Sequence, residues 1–255
     1  MKNFILTLII TLPLTLWGQG WEQTFGGSSS DWGISVQQTN DGGYIITGIT
    51  RSFGNGEDDV FLIKIDENGN EQWTKTFGGI DDESGYSIQI TNDGGYIICG
   101  GTRSFGNGGS DVYLIKTDEN GNEQWSKTFG GEGYEIGNSV QQTTDGGYII
   151  TGGQDADLIL LKLSPNGEQI WCQIIGDNNN YEAGMSVTQT NDGGFIISGT
   201  KNCDLYLVKT DSEGNINSTN IIETPTIKKN VITTMDILGR ETTNKGFQLQ
   251  IYDDG

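Results

Sequence analysis

The residues best equipped for chemistry sit in loops of variable sequence that mix carboxylates, aromatic rings and arginines. Trp32 ends the stretch SSSDW, Arg51 and Phe53 open RSFGNGEDD, which closes on Asp58 and Asp59, and Asp82 lies in IDDES. Arg103 and Phe105 open RSFGNGGSD, which closes on Asp111, while Tyr134 and Tyr181 lie in EGYEI and NNNYEA. Aromatic faces beside acids can hold a sugar, a peptide or a cation. A carboxylate pair such as Asp58 and Asp82 would cleave a glycosidic bond if set about 5 Å apart or roughly 6.5–9.5 Å apart. Histidine is absent, which removes Ser-His-Asp and Cys-His nucleophiles and imidazole metal ligands. A catalytic pair should occur once, whereas most acids here have counterparts elsewhere in the chain or fall in variable loops. Binding of an extracellular glycan or protein without turnover is therefore preferred, with a carbohydrate-active hydrolase as the alternative.

The elements that must position these loops repeat. TNDGGYII at 39–46 recurs at 91–98, as TTDGGYII at 143–150 and as TNDGGFII at 190–197. Trp21, Trp73, Trp125 and Trp171 mark the same period, as do Asp41, Asp93, Asp145 and Asp192, so two independent markers define units of about fifty residues. Each unit reads as four strands, a to d, for example GYSIQIT, GYIICGGT, DVYLIKTD and EQWSKTFG, rich in β-branched and aromatic residues. NDGG or TDGG joins a to b, and ENGN, PNGE or SEGN joins c to d, the Asn/Asp-Gly chemistry of tight antiparallel turns.

Strands b and c are apolar at successive positions, so both faces of each sheet must be covered. Stacking four-stranded sheets around an axis meets that demand. The expected fold is all-β, a β-propeller-like array of four four-stranded antiparallel blades over 21–222, either a closed four-bladed ring or an open arc. In the closed form WEQTFGG at 21–27 would complete the last blade. The repeated Asp is expected to accept amide hydrogen bonds inside its own turn, and the repeated Trp to pack between blades. The variable loops then share one rim, which carries any binding function, centred on Arg51, Phe53, Arg103 and Phe105, since the third and fourth units lack the RSFGNG insert.

Composition narrows the partners. Fourteen basic against thirty-four acidic residues give a net charge of −20, which repels phosphate backbones, so no nucleic acid is expected. DENGN at 66–70 and 118–122 has oxygen donors at alternate positions, as a calcium loop does, but the glycine falls at the fourth position rather than the sixth and the twelfth is Phe77 or Phe129. These segments read as hairpin turns. No cofactor is expected. Cys99 and Cys172 occupy small-residue positions of the repeat, and Cys203 lies in a short loop.

At the start, Lys2, an apolar run from Phe4 to Leu16 and a small-residue exit at 18–20 form a signal-peptide pattern over 1–20, too short and too Pro-interrupted for a spanning helix. No transmembrane segment is expected after its removal. The words W.KTFGG, DGGYII.G, D.YLIK and D.NGN, recurring together in order, resemble a family of bacterial secreted repeat proteins. DILGRE and IYDDG, within 223–255, resemble the C-terminal sorting segment read by the type IX secretion machinery of Gram-negative bacteria. That segment normally continues further, and here it reads as shortened. The resemblance implies export to the medium or the outer cell surface.

Overall fold

The computed structural model describes residues 20–176, 180–216, 231–235 and 249–252. Two compact units divide the chain between Ile216 and Asn217. The signal-peptide region up to residue 19, and most of the sorting segment, lie outside the described residues. The second unit shows β16 (Val231–Met235) and β17 (Leu249–Tyr252) as an antiparallel pair, numbered after the strands of the first unit.

The first unit is all-β, with no helix among its described residues. Its first sheet orders β1 (Asp31–Gln38), β2 (Tyr44–Thr50), β3 (Asp59–Ile65) and β4 (Glu71–Phe77) as an antiparallel meander. The second repeats it with β5 (Glu83–Ile90), β6 (Tyr96–Thr102), β7 (Asp111–Thr117) and β8 (Glu123–Phe129). The third follows with β9 (Glu135–Gln142), β10 (Tyr148–Gln154), β11 (Asp157–Leu163) and β12 (Gln169–Ile175). The fourth has three described strands, β13 (Glu182–Gln189), β14 (Phe195–Lys201) and β15 (Asp204–Thr210).

One expectation is corrected here. The fourth sheet does not acquire its outer strand from WEQTFGG: residues 21–27 carry no strand, and Trp21 instead meets Tyr44 edge-on at 6.0 Å in the first sheet. Its indole N–H donates to the Glu67 carbonyl at 3.1 Å, so packing on that sheet fixes the segment. INSTNII at 216–222, which by the repeat would be the outer strand of the fourth unit, lies from residue 217 onward outside the described residues.

The two-faced apolar pattern of strands b and c has the expected consequence. All seven residues of β3, β6 and β7 are buried. One face of the first sheet, through Ile45, Val60 and Leu62, shares a core cluster with Tyr96, Ile98, Tyr113 and Ile115 of the second. The other face of the second, through Ile97, Cys99, Val112 and Leu114, joins Tyr148, Ile150, Ile159 and Leu161 of the third. Ile149, Leu158 and Leu160 of the third meet Phe195, Ile197 and Val208 of the fourth. From the second sheet on, each has a front face, beginning with the Tyr or Phe after DGG, that lies on the back face of its predecessor.

Every inner strand also carries a repeated constraint. A bulge in β5 between Gly85 and Ser87 pushes a carbonyl toward the neighbouring strand. A methyl group on Gly100 would lie 1.7 Å from the Ser84 oxygen, so the glycine of YIICG is required by close backbone approach.

Candidate functional site

The variable loops form one continuous rim, joined by a chain of backbone hydrogen bonds. Within units Arg51 N–H donates to the Ser30 carbonyl and Arg103 N–H to that of Asp82; between units Glu83 N–H donates to Asp58 and Glu135 N–H to Ser110. The pattern continues from Asp155 to Tyr134, from Glu182 to Ala156 and from Asn202 to Tyr181. The loops therefore brace one another across successive sheets.

Of the expected site residues, the structure groups Trp32, Arg51 and Asp58. The Arg51 guanidinium lies 5.3 Å from the centre of the Trp32 ring and donates to Asp58, with one N–H···O at 3.2 Å. Trp32 remains 44 % exposed, leaving ring surface beside a charged pair. The equivalent arginine, Arg103, pairs with Asp82 at 2.9 Å. Asp58 and Asp82 are both engaged by arginine.

Asp59 and Asp111 serve another purpose. Both are buried, and each carboxylate accepts amide hydrogen bonds from the loop before it: Asp59 from Asn55 and Gly56, Asp111 from Asn107. They fold the RSFGNG inserts. Phe53 and Phe105 turn back onto their own sheets, stacking at 5.7 Å on Phe61 and Tyr113 respectively, although part of each ring stays exposed. Tyr134 and Tyr181 are exposed on the later loops, where their amides donate to Asp155 and Asn202. Their side chains are not joined to the Arg51 group.

Sequence reasoning placed Glu83 only within the IDDES loop of the variable rim and gave Glu135 and Glu182 no role; all three are buried. Glu83 holds Gly79 N–H at 2.6 Å, the Thr102 hydroxyl at 2.6 Å and Ser104 N–H at 3.0 Å. A methyl on Gly78 would lie 2.0 Å from Asp59 Oδ1 and 2.5 Å from Glu83 Oε2; one on Gly130 would lie 2.3 Å from Asp111 Oδ1 and 2.6 Å from Glu135 Oε2. Pairs of buried carboxylates thus recur where one sheet meets the next. Burial raises the pKa of Asp59, Asp111 and Glu135. Glu182 is paired instead with Lys201 at 2.7 Å.

The opposite rim shows why each TNDGG is kept. Asp41 accepts Gly43 N–H at 3.1 Å, as expected of a turn aspartate, and also binds the Lys64 ammonium at 2.9 Å. Asp93, Asp145 and Asp192 hold Lys116, Lys162 and Lys209 in the same way. The lysines close the D.YLIK word of each unit, to which sequence reasoning gave no role, and they repeat with the same period as the aspartates, which was the available signal. At the calcium candidates, Asp66 and Asp118 each accept two turn amides and an Asn side chain, so the turn itself uses their oxygens. Among the described residues no group of three or more acidic, Cys or His side chains could hold a metal ion, and no helix is long and apolar enough to cross a membrane. Cys99 is buried in the core, and Cys172 and Cys203 are exposed free thiols.

Two hollows extend beyond these loops, the first of them reaching the variable rim at Trp32. One of about 500 Å³, almost wholly apolar, covers the front of the first sheet between Trp21, Phe25, Trp32 and Phe61. The other, about 440 Å³, lies on the turn rim between the first two sheets, beside Asp41, Trp73 and Glu119.

No family model matches the chain. A stretch of 116 residues is 25 % identical to "Regulatory protein FlaEY" of Caulobacter vibrioides, spanning 40 % of this chain and 12 % of that protein's length. A crystal structure of a protein of unknown function from Bacteroides caccae superposes with a TM-score of 0.42 at 12 % identity, covering 74 % of this chain and 81 % of that one.

Proposed function

We propose that the chain is a non-enzymatic, exported or cell-surface repeat scaffold that binds an extracellular glycan or protein through the variable loop rim. Its sheets are blades set around an axis. The radial reading is supported by hydrogen bonds between successive inner strands: Ile90 N–H donates to Gln37 Oε1 at 2.9 Å, Val140 N–H to Ser87 Oγ at 3.2 Å and Gln189 N–H to Gln141 Oε1 at 2.7 Å. Side chains of each inner strand thereby satisfy amides along the free edge of the next, which draws these strands toward one line.

The observation that carries the binding reading is the Trp32–Arg51–Asp58 group, an exposed indole face beside an oriented guanidinium. A ring of this kind stacks on the apolar face of a sugar or an aromatic side chain, and a guanidinium adds directional donors. The hydrolase reading fares worse, since Asp58 and Asp82 are neutralised by their arginines and the buried acid pairs recur as loop anchors. Export rests on the apolar run from Phe4 to Leu16 behind Lys2, and delivery by the type IX machinery on DILGRE and IYDDG.

A glycan and peptide array probed with the purified chain tests the binding reading. Binding that falls at least ~10-fold in both Trp32→Ala and Arg51→Ala, consistent with losing about 1.4 kcal/mol, supports it. Release of reducing ends from a polysaccharide by the native chain, abolished in Asp58→Asn, would replace it with the hydrolase.

A further inference from the structure

The three internal sheet contacts define what covers each face, and among the described residues the first and fourth sheets each leave one such face bare. On the back faces, Leu62, Leu114 and Leu160 are 0 % exposed, whereas their counterpart Leu207 is 59 % exposed and Leu205 is 80 % exposed. The lysine next to that leucine pair follows suit: the side chains of Lys64, Lys116 and Lys162 are 6 %, 4 % and 7 % exposed, that of Lys209 44 %. On the front faces, Ile88, Val140 and Val187 are buried, whereas Val36 is 61 % exposed beside the apolar hollow.

Finer features of the internal contact are also present in two separated halves. A methyl on Gly85, Gly137 or Gly184 would lie 2.6, 2.2 or 1.9 Å from Thr47 Oγ1, Cys99 Sγ or Thr151 Oγ1 of the preceding sheet. Gly33 keeps the glycine but meets only Ile46 of its own sheet, at 3.4 Å. The fourth sheet offers Ser198 at the position of Thr47, Cys99 and Thr151. Residues 21–27 carry the words of an outer strand, and Trp21 sits on Tyr44 as Trp73 sits on Tyr96. They pair with no strand, while β15 has a free edge among the described residues.

We propose that copies of this chain associate head to tail, the back of the fourth sheet of one copy seating on the front of the first sheet of the next. Leu205 and Leu207 enter the hollow bordered by Val36, Tyr44 and Phe61. Residues 21–27 of the second copy run along the edge of β15 of the first, supplying its outer strand. The occupant is a second copy because the internal contacts show that a back face of this repeat fits such a front face. The free back face is that of the fourth sheet, and both faces stay open among the described residues. The contact is heterologous, so it closes into a ring or grows into a filament according to the rotation per step. It rests on the sheet faces and not on the binding reading; Trp32 borders the same hollow, and sedimentation without any ligand reads the association separately.

Sedimentation velocity of the full chain over a concentration series, with Val36→Arg and Leu207→Arg, tests the proposal. Both positions are exposed in the single chain, and unchanged melting temperatures confirm that the variants fold. The native chain is expected to associate, and each variant alone to sediment as single chains, its association weakened at least ~100-fold. Mixed together, the variants retain one intact front and one intact back, so they form a one-to-one dimer that grows no further. A native chain that stays single throughout, a variant that associates as the native chain does, or a mixture that remains single chains would overturn the proposal.

Discussion

The carboxylates of Asp59 and Glu83 converge on the place where a side chain on Gly78 would stand, one reaching from the first sheet and the other from the second. Burial raises the pKa of Asp59, and the neighbouring Glu83 charge adds to it against the pull of the Gly56 and Asn55 amides. Burial acts likewise on Asp111 and Glu135. A carboxyl held above its unfolded value binds its proton more tightly in the fold. Its stabilising contribution is complete below about pH 4 and lost as pH rises through the folded value.

The turn aspartates act in the opposite sense. The Thr39 hydroxyl and the Lys64 ammonium hold Asp41 down to about 2. At Asp145 burial opposes the shift, but Thr143 and Lys162 outweigh it and the value again falls to about 2. Their contribution is present above about pH 4 and lost as pH falls toward 2. Thermal melts across pH should therefore show greatest stability in mild acid. Asp59→Asn, which keeps an acceptor for the loop amides, should raise the melting temperature at pH 7 and give a smaller gain at pH 4. An equal loss at both pH values would show that the pair carries no electrostatic strain.

The Trp of each outer strand lies between sheets and is mostly but not fully covered. Full burial of such a ring would make its removal cost about 3–5 kcal/mol. Trp73 meets Tyr96 at 6.2 Å and is partly exposed, so Trp73→Ala should cost about 2–3 kcal/mol in urea unfolding. Trp21, 43 % exposed at the end of the array, should lose less than about 1.5 kcal/mol. Equal costs at the two positions would contradict the inter-sheet packing.

Gly121 and Gly193 separate backbone strain from close packing. Both have positive φ, +75° and +84°, but a methyl on Gly121 would lie 2.6 Å from the Trp73 ring, whereas one on Gly193 meets nothing within 4 Å. Gly193→Ala should cost about 1 kcal/mol from left-handed strain alone. Gly121→Ala should cost about 2 kcal/mol or more, because the indole must move as well. Chemical denaturation of the two variants reads the difference directly.

Much of this organisation was legible because the repeat exposes period and pattern together. The apolar runs of strands b and c predicted sheets covered on both sides, and β3, β6 and β7 are buried throughout. DGG and NGN marked the hairpins through the conformational needs of glycine. The roles of individual acids were harder to read. Asp58 and Asp59 are neighbours in sequence, yet strand alternation sends one to an arginine at the surface and the other under a loop. The Lys–Asp pairs were hidden because each joins residues 23 or 17 positions apart, a distance set by strand register. The place of residues 21–27 depends on a tertiary contact of Trp21, to which local propensity is blind.

Those Lys–Asp pairs supply a direct reading of how well each back face is covered. Lys116 is buried and its ammonium contacts Asp93 at 2.9 Å, the Thr117 carbonyl at 2.8 Å and Gln124 Oε1 at 3.3 Å. Asp93→Asn removes the counter-charge and leaves a buried cation with neutral partners. Complete burial of the pair would put the loss at about 3–5 kcal/mol. The Asp93 carboxylate is more than half exposed, and water screens the rest, so about 1–2 kcal/mol is expected. Lys209 lies on the uncovered face and reaches water on its own, so Asp192→Asn should leave the urea midpoint of the single chain unchanged. A large loss at Asp192 in dilute solution, matching that at Asp93, would mean that the back of the fourth sheet is already covered within one chain.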